Sequence, residues 1–271
     1  MFLEWIGQAE SGKDLTTLEM EGAITEMLAG RADAEFTARL LLALRAKGES
    51  VSELVGAALA MRRAMTPIKT TRSNLLDTCG TGGDGAKTFN ISTAAAIVAA
   101  AAGASVAKHG NRKITSATGS ADVLAELGIK IDAPREVVER CIDEVGIGFC
   151  YAPLLHPAMK HVAEVRRGLG VPTLFNYLGP LCNPAGAAFQ VLGVGRADLQ
   201  EKIASALLQL PIQAAIVVRG EDGLDEVTLG EYASPPHSKW LTRENPVDSR
   251  FVWQVAYRNR IPSRGIAQRK R

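Results

Sequence analysis

Four short stretches of the chain carry residue types able to do chemistry. Residues 75–88 read LLDTCGTGGDGAKT, residues 108–113 KHGNRK, residues 164–170 EVRRGLG and residues 224–228 LDEVT. A glycine run after a buried strand lets successive backbone N–H groups turn toward one anion. Gly80-Thr81-Gly82-Gly83-Asp84-Gly85 satisfies the G-x-G-x-x-G dinucleotide fingerprint. Gly80, Gly85, Lys87 and Thr88 miss the G-x-x-x-x-G-K-[ST] phosphate loop by one residue, Ala86. The dinucleotide reading further demands a helix opening at the glycines and an acid about 20 residues on. Here the next helix is expected from Ser92-Thr93, and the next strand runs into Lys108-His109-Gly110-Asn111-Arg112-Lys113. Those basic and amide groups suit phosphate oxygens rather than a ribose diol. A 2′-phosphate held by Arg112 and a plain glycine-rich surface turn remain alternatives.

Asn90, Ser92 and Thr93 open an alanine-rich helix, whose unpaired N–H groups attract anions; each of the three is equally suited to N-capping. The glycine nest, the helix start and the Lys108 loop together suit a ligand with phosphate at both ends. Asp225-Glu226 supplies hard carboxylate oxygens suited to Mg²⁺, the alternative being a solvated loop dipeptide. Arg166 falls near a helix C-terminus, a placement the helix dipole alone favours.

The elements that must position these groups change character along the chain. Residues 1–70 read as helices, with apolar positions at helical spacing in LTTLEMEGAITEMLAG and AEFTARLLLALRAKG. Asp33 and Ser52 are the expected N-caps, Gly30 and Gly48 the C-caps, and Thr66-Pro67 closes the block. From Leu75 onward short apolar runs alternate with helices. Strands are expected at 75–79, 105–108, 149–152, 191–194 and 214–218, with helices at 93–102, 121–127, 136–145 and 199–210. That alternation predicts an α/β domain with a mostly parallel sheet over residues 71–232, beside the small N-terminal helical domain.

The bulk numbers exclude several classes. The chain has 271 residues, 46% hydrophobic and 22% charged, with a net charge of +2, so neither a strong nucleic-acid field nor disorder is expected. The four cysteines, Cys79, Cys141, Cys150 and Cys182, form no C-x-x-C pair and suit a reducing, cytoplasmic setting. The start, MFLEWIGQAE, lacks the basic and apolar regions of a signal peptide. Ile91–Ala107 is uncharged but too short and alanine-rich for a span, and no membrane partner is expected.

The motifs DTCGTGGDGAKTFNIST, VAKHGNR, SATGSADVLAELG, HPAMKHVAEVRRGLGVPTLFNYLGPLCNPA and GLDEVTL, in this order and spacing, resemble the anthranilate phosphoribosyltransferases. The resemblance covers residues 1 to about 232. It implies transfer of phosphoribose from phosphoribosyl pyrophosphate to anthranilate, a step of tryptophan biosynthesis, and a homodimer formed through the helical domain. It implies contacts to phosphoribosyl pyrophosphate from Gly80, Gly83, Asp84, Thr88, Asn90, Ile91, Ser92, Thr93 and Ser120, and from Lys108, His109, Gly110, Asn111, Arg112, Lys113, Ile114, Thr115 and Ser116. Gly80, Asn111 and Arg166 would contact anthranilate, Arg166 by forking its carboxylate, with His109, His156 and Pro180 along the approach. Ser92, Asp225 and Glu226 would hold Mg²⁺, and no residue is assigned as acid, base or nucleophile. Part of 157–190 would pack on the helical domain. Arg167 matches no family role, and Met159 stands where many members carry tyrosine. A pyrimidine nucleoside phosphorylase shares the fold, but the full KHGNR and LDEVT motifs favour the transferase. A non-catalytic polyanion-binding relative is the reading from another class.

Residues 233–271 depart from the family. The segment is broken by Pro235-Pro236 and carries no acid after Asp248 but Arg250, Arg258, Arg260, Arg264, Arg269, Lys270 and Arg271. Only the apolar run Phe251–Tyr257 reads as an element. The expectation is a truncated or frame-shifted α/β domain with part of the sheet's cover missing, which leaves a catalytically impaired relative as the alternative to an active transferase.

Overall fold

Three capped helix starts set the N-terminal block. The structure, a computed structural model, describes residues 2–85, 88–113 and 118–227, together with the backbone of 253–257. Helices α1 (Phe2–Glu10), α2 (Thr17–Leu28), α3 (Ala34–Lys47) and α4 (Val51–Ala64) form a bundle. Thr16 and Glu19 make a capping box at α2, and Asp33 accepts from the Phe36 amide at α3 as expected. The expected cap Ser52 is corrected to Ser50, which forms a capping box with Glu53. The S-x-x-E spacing places Ser50, not Ser52, three residues before an acid. Glu53 is fully buried, and its carboxylate accepts from Leu15 N at 2.9 Å and Lys47 Nζ at 2.7 Å.

The chain then alternates. Strands β1 (Leu76–Gly80), β2 (Val106–Gly110), β3 (Ile147–Tyr151), β4 (Phe189–Gly193) and β5 (Ala214–Val218) are all parallel, and β6 (Trp253–Tyr257) pairs antiparallel with β5. The order is β3-β2-β1-β4-β5-β6. The apolar run of the tail therefore serves as an edge strand; residues 233–252 and 258–271 lie outside the described residues. The order reverses direction between β1 and β4, a switch point where the C-terminal strand ends open a crevice. Crossovers and lids come from α5 (Ile91–Ala101), α6 (Ser120–Glu126), α7 (Arg135–Arg140), α8 (Ala152–Leu155), α9 (Lys160–Leu169), α10 (Phe175–Leu178) and α11 (Ala197–Gln209).

Strand and helix bounds fall within two residues of the sequence expectation, with one difference that matters. β2 runs on to Gly110 rather than ending at Lys108, because Lys108, His109 and Gly110 pair with Phe149, Cys150 and Tyr151. Lys108 therefore lies within the strand, and its side chain is buried. The helix expected over 136–145 is α only to Arg140 and finishes as a π turn, Cys141–Val145.

One core joins the bundle to the sheet. Leu40, Leu44 and Leu54 of the bundle share it with Val162 of α9, Leu178 of α10, Ile203 and Leu207 of α11, and Leu192 and Val217 of the sheet. Each such side chain removed from water contributes roughly 1.5–3 kcal/mol. On the other side α5 stays uncovered outward, with Val98 68% exposed. Among the described residues no helix is long and apolar enough to cross a membrane.

Candidate active site

The C-terminal ends of β1 and β2 face α4, α9 and α10 across a cleft of about 590 Å³. Most expected site residues line it: Gly80, Asp84, Thr88, Asn90, Ile91, Ser92, Lys108, His109, Gly110, Asn111, Arg112, Ser120, Arg166, Asp225 and Glu226, with Met159, His156 and Pro180. Gly83 and Lys113 are not on its wall, and Thr93 is buried behind the start of α5. Ile114, Thr115 and Ser116 lie outside the described residues.

The glycine loop turns as expected, with Gly82, Gly83 and Gly85 at φ of 65°, 83° and 71°. The Gly82 amide, however, donates to Asp225 Oδ2 at 2.9 Å. At the start of α5, Asn90 Oδ1 accepts from Thr93 N at 3.0 Å as an N-cap, and the Ser92 amide donates to the Glu226 carboxylate. The acidic pair thus occupies the two donor sites that the sequence assigns to an anion. Asp225 can come this close because β4 ends in Gly193, where any Cβ would overlap the Asp225 carbonyl.

Asp84, Asp225 and Glu226 consequently crowd one end of the cleft. Burial, then the charge of Asp84 and a hydrogen bond shared with it, raise the Asp225 carboxyl. Burial and Asp225 push Glu226 up to about 7, opposed by Lys108. Among the described residues no three His, Cys, Asp or Glu side chains close around an ion by themselves. Carboxylates held by amides yet raised by their own mutual charge fit a hard divalent cation that keeps waters and shares substrate oxygens.

Lys108 enters from below. Its ammonium donates to Thr78 O at 2.6 Å and Ser92 Oγ at 3.2 Å, and burial lowers its pKa. Its strand is fixed by fully buried Asp77, which accepts from His109 N at 3.1 Å and Asn183 Nδ2 at 2.8 Å. His109 Nδ1 lies 3.1 Å from Gly179 O and its Nε2 lies 3.2 Å from His156 Nε2. A carbonyl only accepts, so His109 carries its proton on Nδ1, accepts on Nε2, and takes the proton of His156. His156 Nδ1 is buried, with no hydrogen bond of good geometry among the described residues and the Cys182 backbone close to the ring. Burial holds His109 at about 4 and, with His109 alongside, His156 at about 3, so both rings are neutral near pH 7.

At the other end, α9 carries Arg166 onto the cleft wall and turns Arg167 to solvent. The Arg166 guanidinium lies 5.3 Å over the Phe175 ring, and its buried Nε has no hydrogen-bond partner among the described residues. Phe175, Asn176 and Met61 of α4 also line the cleft and were missed from sequence. Phe175 and Met61 are apolar and carry no group that would mark them as site residues. Asp77 and Asn183 carried no signal, because their pairing spans 106 residues.

The arrangement therefore offers an acid cluster fit for a metal ion and a buried cation at one end. The other end offers a planar cation stacked on an aromatic ring. Profiles of the glycosyl transferase family match residues 4–65 (helical bundle domain) and 72–234 (a/b domain). The anthranilate phosphoribosyltransferase of Rhodopirellula baltica is 57% identical over 228 residues, 84% of this chain and 67% of its own length. That of Symbiobacterium thermophilum is 55% identical over 222 residues, 82% of this chain and 65% of its own. Among solved structures, the Thermus thermophilus enzyme superposes with a TM-score of 0.78 at 46% identity, covering 83% of this chain and 68% of that one. The Saccharomyces cerevisiae enzyme, in complex with PRPP and Mg, gives 0.77 at 31% identity over 84% and 68%. The chain spans about two thirds of the length of these relatives.

Proposed function

The chain belongs to the anthranilate phosphoribosyltransferases of the glycosyl transferase family, and on that premise we propose that it transfers phosphoribose from phosphoribosyl pyrophosphate to the amine of anthranilate, releasing pyrophosphate. The observation that carries the reading is the polarity of one cleft, with Asp225, Glu226 and Lys108 at one end and Arg166 over Phe175 at the other. The aromatic amine is neutral at pH 7, so no strong base has to act before attack on C1 of the ribose. The protein's contribution is then to hold the two substrates together and to stabilise the charge that develops on the leaving pyrophosphate.

Asp225 and Glu226, with Asp84 and Ser92 beside them, are the residues that would hold Mg²⁺. When bound, the ion supplies charge neutralisation to the pyrophosphate. Lys108, fixed by Thr78 and Ser92, keeps a buried positive charge beside the same oxygens. Asn111, Arg112, Ser120 and the α5 start would orient the donor. Arg166 would fork the anthranilate carboxylate, with its plane set by Phe175. The neutral His109–His156 pair, with Pro180, would wall the approach of the aromatic ring without adding charge.

Leu3, Leu18 and Leu42, exposed on α1, α2 and α3, support a homodimer through the bundle. Four unpaired cysteines, two of them buried, fit a reducing cytoplasm. The test of the reading is direct. The purified chain is mixed with phosphoribosyl pyrophosphate, Mg²⁺ and anthranilate, and the loss of anthranilate fluorescence is followed. Decay that stops on omission of either the donor or the metal is expected. An unchanged signal in the complete mixture overturns the proposal.

A further inference from the structure

The chain leaves β2 at Gly110 and comes back at Gly119 to begin α6, and where the outgoing and returning segments meet they touch backbone to backbone. A Cβ on Gly119 would stand 2.5 Å from Asn111 O, from the Arg112 carbonyl carbon and from Lys113 N, so no side chain fits there. The Ala121 amide donates to Asn111 O at 3.1 Å across the same neck. One carboxylate spans it. Asp122 Oδ2 accepts from Lys113 N at 2.8 Å and from Gly119 N at 2.9 Å, one on each side, while Asp122 Oδ1 accepts from Arg112 Nη1 at 3.2 Å. The Gly119 and Lys113 amides hold the Asp122 carboxyl below the usual range, with Arg112 adding to them. Asn111, Arg112 and Gly119 line the cleft and Asp122 does not.

Resting on the function proposed above, we propose that Asp122 is the positioning residue of the donor-phosphate loop. It closes the neck between Lys113 and Gly119 and, together with Tyr151, holds the Arg112 guanidinium against the cleft. Asp122 also stands at the N3 position of α6, and capping that helix is the purely structural role from which this one must be separated.

Three variants do so. Asp122→Ala removes both oxygens. Asp122→Asn keeps an acceptor for the neck but loses the ion pair with Arg112. Asp122→Glu keeps the charge and the helix cap. In the ligand-free chain, hydrogen exchange at the Lys113 and Gly119 amides should quicken about tenfold or more in Asp122→Ala, with the amides of Leu124 to Leu127 little changed. For phosphoribosyl pyrophosphate, KM should rise about tenfold in Asp122→Ala and less in Asp122→Asn, and return toward the parent value in Asp122→Glu, while KM for anthranilate and Tm hold. Equal acceleration of the neck and α6 amides, or an unchanged KM for the donor in Asp122→Ala, overturns the proposal in favour of simple helix capping. A parent chain that fails to bind phosphoribosyl pyrophosphate by calorimetry overturns the functional reading and the donor half of this one. The exchange measurement still decides the clasp.

Discussion

The Asp225 carboxylate accepts the Gly82 amide at 2.9 Å across 143 residues of chain, tying the loop after β5 to the loop after β1. A glycine nest ready for an anion is thus already held by an acid, with Asp84 and Glu226 crowded beside it and Lys108 opposing their charge. Asp225→Asn keeps an oxygen for Gly82 but gives up one charge. The expected result is a loss of about a hundredfold or more in Mg²⁺-dependent turnover, the equivalent of roughly 3 kcal/mol of charge stabilisation. The apo protein should melt no lower than the parent at pH 8. Steady-state rates titrated with Mg²⁺ provide the check, and parental turnover at every concentration removes the metal assignment.

Arg166→Lys should raise KM for anthranilate by tens of fold while leaving KM for phosphoribosyl pyrophosphate near the parent value. Lysine retains the charge but cannot make two parallel hydrogen bonds or stack on Phe175, a deficit of about 2 kcal/mol. Arg167→Ala, on the solvent side of the same helix turn, serves as the control and should behave as the parent. Equal effects at both positions would mean that α9, not the guanidinium, is what matters.

The His109–His156 pair makes stability depend on pH with a definite sign. Both pKa values are depressed in the fold, to about 4 and about 3, against an ordinary value of 6.5. Between these limits the unfolded chain binds protons that the folded chain refuses. The pair's stabilisation is therefore full above pH 6.5 and is lost as pH falls, at up to about 1.4 kcal/mol per pH unit for each ring. Tm measured from pH 8 to pH 5 should drop more steeply for the parent than for His156→Gln. Parallel curves would show that the two rings do not titrate as a buried neutral pair.

In the bundle, Ser50→Ala should cost about 1 kcal/mol as a lost N-cap. Glu53→Ala should cost about 3 kcal/mol or more. It strips the acceptor from the Leu15 and Ser50 amides and leaves Lys47, itself nearly buried, with Asp14 alone. Urea titrations of the two variants give both numbers, and similar midpoints would refute the distinction.

What the sequence made legible was local. Strand–helix alternation, the caps at Asp33 and Gly48, and the left-handed glycines of residues 82–85 follow from periodicity and backbone sterics, which act over a few residues. The motif residues likewise named most of the cleft wall. The partners lay out of reach. Neither Gly82 nor Ser92 signals that its amide will meet the Asp225-Glu226 pair, because sheet order, not spacing, brings the loop after β5 past the end of β4 to the end of β1. Met61 and Phe175, apolar and unmarked in sequence, reach the cleft wall for the same reason. Ser50 was legible too, since it, and not Ser52, stands three residues before an acid.

The core shared by the bundle and α11 also bears on how the chain is made. α4 ends at Ala64, and the α11 residues that bury its neighbours begin about 130 residues later. At the usual pace of synthesis, the bundle waits on the order of ten seconds beside the ribosome with Leu40, Leu44 and Leu54 lacking part of their cover. Association of the first four helices with a holding chaperone during that interval would be the cellular trace of a core whose two halves are so far apart in the message.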